Sequence, residues 1–177
     1  DTLIENGNAV QAPGGLIILS AQAASSLLGG VVKNSGSISA TGLVNDGGTI
    51  RLSASNKIEL TSTSSISADA APNSAGKGGR IDIITDLNNA TGITKVDGSI
   101  SAKGGEQGGD GGFIETSATH LKIADSARIS TLAPRGQAGN WLLDPNDFEV
   151  SSTGNISGST LSTLLASGNV TLQAGTG

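Results

Sequence analysis

The feature that most constrains this chain is a sequence unit that keeps returning. Its clearest copy covers residues 47–68, GGTIRLSASNKIELTSTSSISA. A glycine pair opens it. Ile50 and Leu52 alternate with Thr49 and Arg51, Ile58 and Leu60 alternate with Lys57 and Glu59, and a third run, SISA, places Ile66 and Ala68 on one side. Such alternation marks strands with one buried face, because successive side chains point to opposite sides. Glycine pairs open again at Gly14, Gly78 and Gly111, with a degenerate Gly-Asn at Gly139, so the steps are 33, 31, 33 and 28 residues. SISA recurs at 37–40 and 99–102 and ends as RIST at 128–131. Periods of roughly 20–50 residues belong to solenoids and propellers, but a propeller blade needs about 40–45 residues and aromatic signatures. This chain has 2% aromatics and shorter units. Units of uneven length fit a β-helix, whose loops bulge outward without disturbing the stack.

Composition agrees with a narrow solenoid. Hydrophobic residues are 36% of the 177, with 27 Gly and 4 Pro, so the core is lean. A glycine- and serine-rich chain of this kind could be disordered, but the regular placement of Ile, Leu and Val argues against that. There is no Cys, which excludes disulfides and thiolate metal sites and suits a protein exported unfolded. A net charge of −5 disfavours nucleic acid, which rewards clustered Lys and Arg. No signal peptide or apolar run of membrane-spanning length is present. The chain starts in mid-pattern and ends in AGTG, as an excised or processed segment would.

The expected organisation is a partial coil over residues 1–12, then coils to residue 138. Leu16 to Leu19 are all apolar, so both faces of that strand are expected to be covered, with residues 22–28 as the covering insertion. Ile93, Val96 and Ile100 are placed inward in the third coil. Residues 139–177 form a junction coil, GNWLLDPNDF, continuous with the same solenoid, followed by a short helix over 160–167. Leu161, Leu164 and Leu165 share one side of it, Ser159 and Gly168 are its caps, and a last strand follows at Val170 and Leu172. The helix is expected to lie over the end or flank of the stack.

Parallel stacking turns equal offsets from the glycine pair into neighbours about 4.8 Å apart. One inward column is then Ile17, Ile50, Ile81, Ile114 and Leu142. A second is Leu19, Leu52, Ile83, Thr116 and Asp144. The outward column is Leu16, Thr49, Arg80, Phe113 and Trp141. The next outward column sets Arg51 beside Asp82, which attracts, and Asp82 beside Glu115, which mildly repels.

The stretch GNWLLDPNDFEV, after GGTIRLSASNKIEL and GGRIDI repeats and before the GNVTL strand, resembles the large exoproteins of two-partner secretion, the filamentous haemagglutinin-like adhesins of Gram-negative bacteria. The resemblance covers roughly residues 14–172 and rests on the ordered combination of motifs. It implies a right-handed parallel β-helix, export through a dedicated outer-membrane partner, and roles in adhesion, biofilm or haem capture. It also implies a shaft segment, secreted and held at the cell surface.

Candidate sites are few. The loop at 104–112, GGEQGGDGG, has one glycine-aspartate unit where calcium repeats need several stacked copies. Asp144, Asp147 and Glu149 are the densest carboxylates, and a turn-capping role is favoured over a glycosidase pair. His120, the single His, alternates with Leu121 and Ile123 and is placed facing solvent. The Thr61-Ser62-Thr63 run has no in-phase copy for an ice-binding ladder. Arg80, Phe113 and Trp141 form the expected surface-interaction column, since Trp and Arg are enriched at binding hot spots and aromatic rings stack on sugars.

The expectation is therefore an all-β, right-handed parallel β-helix of about five to six coils with one short helix near the C-terminus. Its role is non-enzymatic, structural and adhesive, without cofactor or metal. Partners are a second copy end to end, or a host or matrix ligand with carbohydrate among the candidates. A filament subunit is the alternative, and a carbohydrate-active β-helix enzyme the third reading.

Overall fold

The computed structural model describes residues 2–13, 15–22, 29–42 and 44–175. The chain is a parallel β-helix of about six turns. Its strands, in chain order, are β1 (Thr2–Asn6), β2 (Ala9–Pro13), β3 (Leu16–Ala21), β4 (Gly30–Asn34), β5 (Ser37–Thr41), β6 (Thr49–Ala54), β7 (Lys57–Leu60), β8 (Ser65–Ser67), β9 (Arg80–Thr85), β10 (Ile93–Val96), β11 (Ser99–Ser101), β12 (Phe113–Ala118), β13 (His120–Ile123), β14 (Arg128–Ser130) and β15 (Asn140–Pro145). Helix α1 (Gly158–Leu165) and strand β16 (Asn169–Leu172) follow. Sheet A is β1-β4-β7-β10-β13, sheet B is β2-β5-β8-β11-β14, and sheet C is β3-β6-β9-β12-β15-β16. Every paired strand runs parallel to its neighbour. β1 and β2 form the partial coil expected before the first glycine pair.

The inward columns explain the apolar alternation. In sheet C, Ile17, Ile50, Ile81, Ile114, Trp141 and Val170 are register partners. Sheet B stacks Val10, Ile38, Ile66, Ile100 and Ile129. Ile50, Ile81 and Ile114 are 0% exposed, so a chain with little apolar content still closes a dry core.

The glycine pairs sit at the corner between sheets B and C. In the pairs at 47–48, 78–79 and 111–112 the second glycine donates its N–H to the end of the preceding sheet B strand: Gly48 to Ala40 O at 2.8 Å, Gly79 to Ala68 O at 2.7 Å, Gly112 to Ala102 O at 2.7 Å. A methyl group at Gly79 or Gly112 would lie 2.0 Å from the carbonyl oxygen of the glycine one coil below. Backbones approach so closely there that only glycine fits.

Gly139 keeps this rule and corrects the expected register. It donates to Thr131 O at 2.8 Å, and a Cβ on it would meet Gly112 O at 2.0 Å. It therefore occupies the place of a second glycine, not a first. Everything after it moves by one position: Trp141, not Leu142, stacks on Ile114, and Leu143, not Asp144, stacks on Thr116. The core stays apolar in the fifth coil.

Two other expectations change. In β10, Thr94 and Val96 point inward and Ile93 outward, because Ile93 and Val96 are three residues apart and cannot share a strand face. Thr94 tolerates the core by sharing a 2.8 Å hydrogen bond with the Thr85 hydroxyl and donating to Ser117 O at 3.2 Å. Helix α1 begins two residues earlier than expected. Ser157 is its N-cap, accepting from the Thr160 N–H, and Ala166 closes it. Thr160 and Leu164 are its buried residues, while Leu165 is 55% exposed. The helix stands where coil five would carry a sheet B strand, with Leu164 packed into the core at that end. Leu16 and Ile18 are each 54% exposed. The insertion expected to cover them lies, apart from Gln22, outside the described residues.

Candidate functional site

The outer face of sheet C carries the expected Arg80–Phe113 neighbours. The Arg80 guanidinium carbon lies 4.5 Å from the Phe113 ring centroid. Trp141 is not beside them. It is 2% exposed, points into the core, and donates its Nε1–H to Thr116 Oγ1 at 3.0 Å. Asn140 takes the outward place next to Phe113.

Arg80 is moreover engaged by its own surface. Its Nε is 2.7 Å from Asp82 Oδ1, in ion-pair contact without hydrogen-bond alignment, and its Nη2 is 3.4 Å from Glu115 Oε2. Arg51 Nε reaches the other Asp82 oxygen at 3.1 Å. The Asp82–Glu115 repulsion is relieved because Arg80 spans both. This face is a closed charge ladder.

The outer face of sheet A is different. One register column reads Glu5, Lys33, Glu59, Lys95, Lys122, and the column beside it reads Leu3, Val31, Lys57, Ile93, His120. At the start of the column the charges neutralise: Lys33 meets Glu5 at 3.1 Å and Lys57 meets Glu59 at 2.7 Å. The Lys57 ammonium, hydrogen-bonded to Glu59, holds that carboxyl below the usual carboxylate range, with Lys95 and Lys33 adding to the effect. Past Glu59, two lysines follow with no acid between them. The Lys122 ammonium donates to the Gly154 carbonyl. Lys95 is exposed and makes no hydrogen bond or ion pair among the described residues.

A wall rises beside these lysines. The chain leaves sheet C at Pro145 and forms a loop over 146–155 before α1. The Glu149 N–H donates to Asn155 Oδ1 at 2.6 Å, the Asn155 N–H to Glu149 O at 2.9 Å, and the Gly154 N–H to Ser151 Oγ at 2.8 Å. Asn155 then docks the loop on the outer edge of β13: its Nδ2 donates to Leu121 O at 2.7 Å and its carbonyl accepts from Ile123 N–H at 2.8 Å. Between loop and sheet lies an open groove of about 510 Å³. Ile93, Lys95, His120 and Lys122 line the sheet side, and Asp147, Phe148 and Glu149 the loop side. A second hollow of about 180 Å³ continues it, with Lys95 and Lys122 lining both and Glu59, Thr61, Ser62 and Asp97 beyond.

The structure thus assembles a groove that the sequence did not reveal. Neither Asp144 nor Asp147 makes the expected side-chain turn cap among the described residues; Asp147 faces the groove instead. His120 is exposed, as expected, and its Nε2–H donates to Ala90 O at 3.0 Å. Lys95 and Lys122 were detectable in principle, since ITKV and HLKI each carry lysine one place after an inward residue. The misphased β10 hid their alignment.

The glycine-rich loop is built for packing. Gly109 has φ +81°, and Asp110 Oδ1 accepts the Gln137 N–H at 2.9 Å from the next coil. Asp69 and Asp46 do the same for Lys103 and Lys77, each at 2.7 Å. These carboxylates tie neighbouring loops together. Among the described residues no three His, Cys, Asp or Glu side chains gather as a metal site, and no helix is long and apolar enough to cross a membrane. No protein-family profile, curated protein or solved structure matches the chain.

Proposed function

We propose that this chain is a shaft segment of a secreted bacterial surface exoprotein of the two-partner-secretion, filamentous haemagglutinin-like kind, with a structural and adhesive role and no turnover chemistry. The observation that carries the reading is the unbroken parallel stack. Ile17 to Val170 form one inward column and the glycine corners close coil on coil, so the chain is a rod whose outer faces are presented at fixed spacing. The GNWLLDPNDFEV junction and its flanking repeats supply the family reading. Binding is favoured over catalysis because the groove's carboxylates and its histidine are exposed. Acid–base chemistry is favoured in sites that exclude water.

Two measurements test this. Fused behind a two-partner secretion domain and co-expressed with its outer-membrane partner, the segment is expected in the medium as a folded β-rich protein. Beads coated with it are expected to adhere to host cells or extracellular matrix more than beads coated with an unrelated β-solenoid. Equal adhesion of both coatings overturns the adhesive role.

The filament reading has one observation in its favour. Among the described residues β3 pairs only with β6 and β16 only with β15, so each presents an outer hydrogen-bonding edge. A continuing coil of one polypeptide or a second copy of the chain fits there equally. Electron microscopy over a range of concentrations distinguishes them, because only assembly between copies lengthens the particles as concentration rises.

A further inference from the structure

We propose that the groove between sheet A and the 146–155 loop binds a carboxylated saccharide, a chain containing uronate sugars, with Lys95 as the residue that receives the carboxylate. The inference rests on the adhesive reading above and names the ligand class of that surface. The groove's unmet chemistry defines the ligand. Lys95 is a cation without a hydrogen bond or ion pair among the described residues, and Lys122 stands beside it in register. The ligand must therefore bring an anion. On the facing wall, Asp147 and Glu149 make no side-chain hydrogen bond among the described residues. Ionised carboxylates only accept hydrogen bonds, so the ligand must also bring several donors. A phosphate polymer brings the anion but few donors. An acidic peptide brings carboxylates, but its donors are spaced along the backbone, one N–H per residue, where a sugar ring carries several hydroxyls beside its carboxylate. A neutral glycan brings hydroxyls and leaves Lys95 unmet. A uronate brings both on one ring.

The floor and length agree. Ile93 and Phe148 line the groove and offer an apolar surface for a sugar face. The groove continues past Lys95 into the second hollow, lined on the far side of the lysines by Asp97, Thr61 and Ser62 and by Glu59, which Lys57 already pairs. A linear chain can thus place a carboxylate at the lysines and hydroxyls on both sides. The volume lies within the range of about 300–1,000 Å³ typical of ligand pockets.

The test uses the full chain, titrated by calorimetry with oligogalacturonate, with its methyl-esterified form, with maltohexaose and with polyglutamate. Saturable binding of oligogalacturonate is expected, weakened by salt. Loss of the single charge in Lys95→Gln, or of the ligand's charges by esterification, is expected to weaken it about tenfold or more, in line with one charge-assisted hydrogen bond. Glu149→Gln, whose backbone bonds to Asn155 are retained, is expected to weaken it by a smaller factor. Lys95 makes no hydrogen bond or ion pair among the described residues, so the variant's circular dichroism and melting should stay close to those of the parent. Equal binding of maltohexaose or of polyglutamate, indifference to Lys95→Gln, or no oligogalacturonate binding at millimolar concentration overturns the proposal. Bead adhesion that persists without uronate binding sinks the ligand assignment and spares the adhesive reading. Uronate binding without bead adhesion does the reverse.

Discussion

The hydrogen bond from Trp141 to Thr116 offers the sharpest test of the coil register, because it exists only if Gly139 fills the second-glycine position. Thr116 is 0% and Trp141 2% exposed, with the indole N–H 3.0 Å from the hydroxyl. Thr116→Val keeps the shape of the side chain and deletes the acceptor. The indole donor is then buried without a partner, which costs about 1–3 kcal/mol. Trp141→Phe removes the donor but also part of the ring, leaving a cavity beside Ile114 and Leu164, and is expected to cost at least as much, about 2–3 kcal/mol. The double variant has neither an orphaned donor nor a second loss of the same bond. It should be more stable than the sum of the singles predicts by about 1 kcal/mol, within the range measured for contacting residues. Urea unfolding followed by far-ultraviolet circular dichroism reads all four proteins. Trp141 is the single tryptophan, so its fluorescence is an independent witness: emission should be blue-shifted and resist acrylamide until the stack unfolds. A neutral or stabilising Thr116→Val, together with an indole quenched as readily as free tryptophan, would place Trp141 outside and refute the register.

Three further outcomes follow from the same geometry. Gly112→Ala puts a methyl 2.0 Å from Gly79 O and should cost about 1–3 kcal/mol or more, whereas Gly7→Ala, whose nearest atom would be Ser35 Oγ at 3.8 Å, should be close to neutral in the same denaturation assay. Arg80→Met strips Asp82, whose side chain is 8% exposed, of one of its two arginines and should cost about 1–2 kcal/mol; Lys33→Met, in a pair with 40% and 49% exposed side chains, should cost under about 0.5 kcal/mol. Asp125 accepts from the Ser157 and Thr160 hydroxyls at 2.5 Å each, and these bonds hold its carboxyl below the ordinary aspartate range. A depressed folded-state value means that its contribution is complete above the unfolded aspartate pKa and is lost as pH falls through the folded one. The gap in urea midpoint between the parent and Asp125→Asn should therefore be constant near neutrality and close in acid; a gap independent of pH contradicts the assignment.

The period and most of the core were legible in the sequence because the same local rule is written in each coil. Ile50, Ile81 and Ile114 follow a glycine pair at one offset, and stacking makes them neighbours. What escaped were positions where a long-range partner replaces the local rule. Thr94 is inward because Thr85 and Ser117 satisfy its hydroxyl, and alternation of apolar residues cannot see a satisfied polar one. Gly139 is ambiguous in the sequence because a lone glycine can stand for either member of a pair, and only the carbonyl of Gly112 beneath it decides which. The sequence pattern places the helix start too late because Gly158 and Ser159 are weak helix formers. Its true N-cap, Ser157, is braced by Asp125 from the preceding coil, thirty-two residues away. The groove escaped for a related reason: the lysines become neighbours only after β10 is phased correctly.

That the groove sits in the fifth coil follows from how solenoids are built. Where the repeat is regular, outward residues of successive coils fall into register, and opposite charges can pair from coil to coil. Arg51 with Asp82, Arg80 with Glu115 and Lys33 with Glu5 show this ladder closing on itself. A face of that kind has few unmet groups to offer a ligand. The fifth coil breaks the ladder. The sheet A strand expected beside β13 is reduced to the contact made by Asn155, and the residues released from it form the wall that carries Asp147, Phe148 and Glu149. At the same level the column on sheet A ends in Lys95 and Lys122, with no acid between them. Lys95 on one side and Asp147 and Glu149 on the other, none of them ion-paired among the described residues, thus face each other across a gap because the coil there is irregular. A graft that restored a regular strand in place of the 146–155 loop should remove the groove while leaving the rod intact, which separates the scaffold from its site.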